Sequence, residues 1–214
     1  MSVTAKICGL SSEAAVAAAV EGGAAYVGFV FYPPSPRAVT PARAAGLCAA
    51  VPSGIRRVGL FVDADDAAIR AVLDTVPIDL LQFHGHETPD RVVDAKRRLQ
   101  RPVMKAISIA DAGDVLAARR YENSADLLLF DAKPPRRPDA LPGGNGLVFD
   151  WELIAGREWR LPWMLSGGLT AELLPEAVRI SGAHMVDVSS GVERRPGDKD
   201  PGKIREFLRV ARGL

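Results

Sequence analysis

Short apolar runs rich in β-branched and aromatic residues recur along the chain at intervals of roughly 20 to 35 residues, about one strand plus a crossover helix. They occupy 5–8, 26–32, 57–62, 80–84, 103–107, 126–131, 163–166 and 184–189. Between them the apolar positions fall at helical spacing, over 11–20, 41–50, 65–75, 89–99, 111–119, 171–180 and 203–210. Several of these stretches open on a residue whose side-chain oxygen can accept from the first free N–H groups of a helix. They are Ser11 or Ser12 ahead of Glu13, Thr40 ahead of Pro41, Thr88 ahead of Pro89, and Thr170 ahead of Ala171.

Eight strands alternating with helices leave two architectures, an open doubly wound sheet or a closed barrel. No Gly-x-Gly-x-x-Gly turn follows the first strand, where the chain reads Cys8-Gly9-Leu10. Eight units in 214 residues suit an α/β fold of the minimal kind, a closed parallel (β/α)8 TIM barrel with short connections. The expectation is one domain spanning 1–214. The irregular stretch 133–146 is rich in Pro, Gly and Arg. As a linker it would leave the last strands too small a core, so it reads as a long active-site loop.

Composition narrows the class. Hydrophobic residues are 48% and charged residues 25% of the chain, which excludes a disordered polymer. With 27 basic and 26 acidic side chains the net charge is +1, so there is no general field for nucleic acid. No apolar run approaches the roughly 20 residues of a membrane span, and the opening residues do not read as a leader. The two cysteines, Cys8 and Cys48, lie far apart and form no disulfide framework, which suits a reducing cytoplasm. No long exposed apolar stripe stands out, so a monomer is favoured over a homodimer joined through its loops.

In barrels the active site lies at the C-terminal ends of the strands. Two loops there have the makings of an anion site: Ser166-Gly167-Gly168 after the seventh strand and Ser189-Ser190-Gly191 after the eighth. Glycine lets backbone N–H groups approach an anion, and serine adds hydroxyl donors. Cys8 ends the first strand beside Gly9, and Lys6, two positions earlier, faces the same way. That lysine either stabilises a thiolate or pairs with a carboxylate inside the barrel. Asp131 ends the run Leu127-Leu128-Leu129-Phe130, where desolvation favours a neutral acid, unless Lys133 or a loop arginine pairs with it.

Arg37, in the stiff segment Ser35-Pro36-Arg37, offers a planar fork to a carboxylate. Gln82 and His84 alternate onto one face and line the mouth. His84 and His86 also invite a zinc reading, but no third ligand is evident and no metal is expected. Arg136 and Arg137, balanced by Asp131 and Asp139, read as part of a solvated loop. Cys48, in an Ala-rich helix, reads as a small buried hydrophobe.

Taken together, several motifs in order are familiar: Lys6-Ile7-Cys8-Gly9, Gly28-Phe29-Val30-Phe31 with Ser35-Pro36-Arg37, Leu80-Leu81-Gln82-Phe83-His84-Gly85, and Leu129-Phe130-Asp131-Ala132-Lys133. Ser166-Gly167-Gly168-Leu169, Val186-Asp187-Val188-Ser189-Ser190-Gly191-Val192-Glu193 and Pro196-Gly197-Asp198-Lys199-Asp200 complete the series. Over essentially its whole length the chain resembles the phosphoribosylanthranilate isomerases of tryptophan biosynthesis. The resemblance implies a cofactor-free Amadori rearrangement of a phosphorylated small molecule. It makes Asp131 the general acid and Cys8 the general base. It also gives Arg37 the anthranilate carboxylate, Asp187 a sugar hydroxyl, and Gly167, Gly168, Ser189, Ser190 and Gly191 the phosphate. Two positions depart from the family's habit: Asn145 stands in a Gly-Thr-Gly triplet in place of threonine, and Phe83 replaces a leucine. Asn145 is expected to tune a loop, and Phe83 to point away from Gln82 and His84.

Other sugar-phosphate barrels are the nearest rivals. A histidine-pathway isomerase would place aspartates at the ends of strands one and five, where this chain has Cys8 and Ser108. A pentulose-phosphate epimerase would need several metal-binding histidines and acids. A non-catalytic phosphate-binding barrel would need neither Cys8 nor Asp131.

Overall fold

The computed structural model describes residues 3–134 and 141–214. Eight parallel strands close on themselves in chain order: β1 (Thr4–Cys8), β2 (Tyr26–Val30), β3 (Arg56–Phe61), β4 (Leu80–Phe83), β5 (Val103–Ile109), β6 (Leu127–Ala132), β7 (Trp163–Leu165) and β8 (Met185–Val188). Closure is made by β8 pairing with β1, which sets Lys6 opposite Asp187. Strands covered on both faces are apolar almost throughout, and β6 is buried over its whole length.

The period of two sorts each strand between two cores. In β6, Leu127 and Leu129 point into the barrel with Val58, Leu80, Met104 and Met164. Leu128 and Phe130 point out, under the helices. The next inward position is Asp131. The same alternation puts Gln82 above Leu80 on β4 and Cys8 above Lys6 on β1. On β4 and β6 the inward row is thus apolar low in the barrel and polar at the mouth. Phe83 falls on the outer face, fully buried, with the Arg91 guanidinium 5.6 Å from its ring centre.

The helices are α1 (Glu13–Glu21), α2 (Pro41–Cys48), α3 (Asp66–Leu73), α4 (Pro89–Leu99), α5 (Ala112–Ala118), α6 (Leu174–Ser181) and α7 (Pro201–Arg212). Ser12, Thr40 and Thr88 cap α1, α2 and α4, each accepting from the N–H three residues on. The sixth helix starts later than its periodicity suggests. Thr170 Oγ1 accepts from Leu173 N at 3.3 Å and closes a preliminary turn, and α6 begins only at Leu174. Pro175 fits the first turn of a helix but not its interior, which sets that start.

Between β6 and β7 the described residues hold only a short 3-10 turn, Trp151–Leu153, capped by Asp150 and anchored by buried Phe149, Trp151 and Ile154. A further unexpected element is a two-stranded antiparallel hairpin after β8, made of β9 (Glu193–Arg195) and β10 (Asp198–Lys199). It is too short and too charged to register as a strand pattern. Among the described residues, no helix is long and apolar enough to cross a membrane.

Candidate active site

One cavity at the C-terminal end of the barrel is lined by Cys8, Arg37, His84, Asp131, Asp187 and Ser189, among others. Gln82, Gly167, Gly168 and Ser190 also reach it, so the mouth collects all the site residues expected from the sequence except Gly191, which sits just behind its wall. Residues 141–147 of the loop after β6 form its roof, with Gly143 against His84 and Asp131 and Gly144 against Arg37. Asn145 tightens that roof by donating from Nδ2 to Leu141 O at 2.8 Å. The expectation of a solvated Arg136–Arg137 stretch, with Asp139, lies outside the described residues.

On the β4–β6 side, Asp131 is 4% exposed. Its Oδ1 accepts from Ala132 N at 2.9 Å and its Oδ2 lies 3.2 Å from His84 Nε2. Lys133, weighed as its partner, pairs instead with Asp114 at 3.0 Å. Gln82 is fully buried beneath His84 and donates from Nε2 to His84 Nδ1 at 2.9 Å. That contact leaves the imidazole proton on Nε2, which donates to Asp131. Gln82 Oε1 has no partner among the described residues. His86 is exposed and does not line this cavity; among the described residues, no three His, Cys, Asp or Glu side chains gather as metal ligands.

The β8–β1 side is crowded with charge. Lys6, fully buried, donates to Asp187 Oδ1 at 2.8 Å, and Ser166 Oγ donates to Asp187 Oδ2 at 3.0 Å. Of the two roles open to Lys6, pairing with a barrel carboxylate is the one observed. Burial works against its charge, but Asp187 and Cys8 together outweigh it and hold the ammonium above its ordinary range. The Cys8 thiol lies beside this pair and is pushed up by burial. Lys6 and Lys199 pull it down and Asp187 pushes it up, and burial wins. Lys6 therefore does not give a resting thiolate, because burial outweighs its pull and Asp187 adds to that.

Asp187, expected to hold a sugar hydroxyl, has both oxygens already engaged and can accept only through its remaining lone pairs. Arg37 is 4% exposed, and its Nε and Nη2 donate to Glu193 Oε1 and Oε2, each at 2.8 Å. The bidentate partner of this arginine is thus internal. Nη2 also donates to Gly144 O at 3.1 Å. Among the described residues, Nη1 has no hydrogen-bond partner and is the part of the fork left for a ligand.

The anion loops are shaped by close packing. Gly168 has φ +60°, and any Cβ there would strike the Leu147 carbonyl that roofs the site. A Cβ on Gly191 would overlap the Leu169 carbonyl, so the eighth-strand loop lies directly on the seventh. Ser189 is held inward: its hydroxyl donates to Cys8 O at 3.3 Å and accepts from Lys199 Nζ at 3.1 Å. That leaves Ser190 and the backbone N–H groups of the two loops to meet an anion. Glu193 and Lys199, both essentially buried, were not singled out from the sequence, although both stand in motifs shared with the isomerases. The available signal was two charged residues in a short stretch bracketing Pro196-Gly197, a turn that folds them back together.

An eight-stranded parallel barrel with a buried thiol, a carboxylate and two Gly/Ser loops at its mouth defines a barrel enzyme built for an anionic small molecule. Residues 5–210 match the family model described as N-(5′-phosphoribosyl)anthranilate (PRA) isomerase. The N-(5′-phosphoribosyl)anthranilate isomerase of Paramagnetospirillum magneticum is 57% identical over 213 residues, covering 100% of this chain and 99% of that one. The phosphoribosyl anthranilate isomerase of Thermotoga maritima superposes with a TM-score of 0.88 at 35% identity, covering 99% of this chain and 100% of that one. A further solved phosphoribosyl anthranilate isomerase, in complex with reduced 1-(o-carboxyphenylamino)-1-deoxyribulose 5-phosphate, has a TM-score of 0.84 at 34% identity, with 99% and 100% covered. This chain belongs to the N-(5′-phosphoribosyl)anthranilate isomerase family.

Proposed function

We propose that the chain converts N-(5-phosphoribosyl)anthranilate to 1-(2-carboxyphenylamino)-1-deoxyribulose 5-phosphate in tryptophan biosynthesis, by an Amadori rearrangement without cofactor or metal. The observation that carries this reading is the convergence of Cys8, Asp131, Arg37 and the two anion loops on one roofed cavity in a chain of this family. Asp131 acts as general acid. It protonates the furanose ring oxygen, the C1′–O4′ bond breaks, and the anilino nitrogen's electron pair forms the Schiff base. His84 Nε2–H supports the carboxylate left behind.

Cys8, as thiolate, then removes the C2′ proton, and the electrons of that C–H bond move to make the enolamine. The enolamine tautomerises to the ketone, and the protons lost by Asp131 and gained by Cys8 balance over the turnover. The thiol is held up by burial, so only a minority of molecules carry the thiolate at neutral pH. Arg37 Nη1 meets the anthranilate carboxylate, and Asp187 accepts from a sugar hydroxyl. Gly167, Gly168, Ser190 and Gly191 with the Ser189 segment cradle the phosphate.

The chain works as one barrel domain, 1–214, in the cytoplasm. It acts as a monomer, on a phosphorylated small molecule rather than on nucleic acid or a membrane. The test is the fluorescence of phosphoribosylanthranilate, which falls as it is consumed. Purified protein should deplete it and yield the ketose product by mass-resolved chromatography. A well-folded protein that leaves the substrate unchanged would remove the proposal.

A further inference from the structure

The hairpin β9–β10 sets a run of buried charges along one wall of the cavity. Glu193 is 6% exposed and takes both Arg37 contacts on its two oxygens. Its Oε1 also accepts from Lys199 Nζ at 2.7 Å. The Lys199 ammonium uses its other hydrogens on Ser189 O at 2.9 Å and Ser189 Oγ at 3.1 Å. Ser189 Oγ in turn donates to Cys8 O. One chain of contacts therefore runs from Arg37, which faces the mouth, through Glu193 and Lys199 to the backbone of Cys8.

Burying three charges is costly, and well-packed apolar residues would stabilise the same volume at least as well. What such a network does supply is orientation. The two parallel contacts from Glu193 fix the plane of the Arg37 guanidinium, and that orientation leaves Nη1 free. Lys199, held by the same carboxylate, pins the segment that follows β8.

We infer that Glu193 is a positioning residue for the isomerisation. It holds the Arg37 fork so that Nη1 meets the substrate's ring carboxylate, and it holds Lys199 on the Ser189 segment behind the thiol. The inference rests on Arg37 being the carboxylate clamp. It goes beyond that role by assigning the clamp's alignment to a residue that touches no substrate. The competing view is a purely structural clip joining the loop after β2 to the hairpin.

Two compounds separate these views in calorimetric titration: reduced 1-(o-carboxyphenylamino)-1-deoxyribulose 5-phosphate and its phenylamino counterpart, which lacks the carboxylate. Wild-type protein should prefer the carboxylated compound by at least about tenfold. Glu193→Gln should reduce that preference to less than about threefold, with affinity for the phenylamino compound changed by no more than about threefold. Glu193→Asp keeps the charge and withdraws the carboxylate by one methylene, so its preference should fall between the two. In turnover, Glu193→Gln should raise KM more than it lowers kcat.

Equal weakening toward both compounds would make Glu193 a structural clip and overturn the inference alone. A wild-type protein with no preference would remove Arg37 as the clamp, and the role of Glu193 would fall with it. Should Glu193→Gln not fold, judged by circular dichroism, the same comparison on Glu193→Asp decides.

Discussion

The two flanks of the cavity solve opposite problems. On the β4–β6 flank, Asp131 has one side-chain partner, the His84 imidazole, and one backbone N–H. On the β8–β1 flank, the buried cations Lys6, Lys199 and Arg37 stand against two carboxylates, Asp187 and Glu193. The first flank leaves an acid with no cation bonded to it. The second carries one more positive than negative charge, suited to a dianionic phosphate and a carboxylate, yet burial, with Asp187 adding to it, keeps the thiol protonated at rest. Placing cations near a buried thiol does not make a thiolate when desolvation outweighs their pull.

The comparison breaks most sharply at its two reacting ends. Asp131→Asn and Cys8→Ser should each lower kcat by roughly a hundredfold or more, because an amide gives up no proton and a hydroxyl is a far weaker base. Steady-state turnover beside circular dichroism checks this, and a folded variant keeping more than a tenth of the activity would remove that residue from the chemistry.

The next largest effect belongs to the clamp. Arg37→Ala should cost about 2–4 kcal/mol of transition-state binding, read from kcat/KM. It should also lower the melting temperature, since Glu193 loses its bidentate partner inside the protein. A fall of less than about threefold in kcat/KM would make Arg37 purely structural.

A finer probe is Lys199→Met, which deletes a charge that pulls the Cys8 thiol down. The thiolate is the charged form, so losing a nearby cation moves its titration further up. At neutral pH, fewer molecules then hold the active base, by about tenfold for each pH unit of that shift. Ultraviolet thiolate absorbance in a Cys48→Ala background measures the titration. A downward move would show that Lys199 is not acting on the thiol. Asn145→Thr, which restores the family's usual residue in the roof, is the smallest change. It removes the contact to Leu141 O and should alter kcat/KM by less than about threefold in the fluorescence assay.

Much of the fold was legible because its signals are local. The capping threonines Thr40 and Thr88 precede a proline by one position, and the apolar runs bound their strands to within a few residues. The inward position of Asp131 follows from counting by twos along β6. The site was legible as a set of residue types at strand ends, but their partners were not. Lys133 was the nearer candidate for Asp131 in the chain, yet the barrel's curvature sends it to Asp114 and brings His84 to Asp131. The β9–β10 hairpin escaped notice because strands of three and two residues carry too little periodicity to read.

By itself, the sequence determined the order of strands and helices, the caps that start them, and which chemistry-bearing residues stand at the barrel's mouth. Those properties depend on neighbours within a few positions along the chain. Only the tertiary structure decided how the charges pair. Lys6 meets Asp187 across 181 positions and Arg37 meets Glu193 across 156, because closure of the barrel lays β8 against β1. Pairing of buried charges depends on distance in space and on exclusion of water, neither of which is written into any short segment.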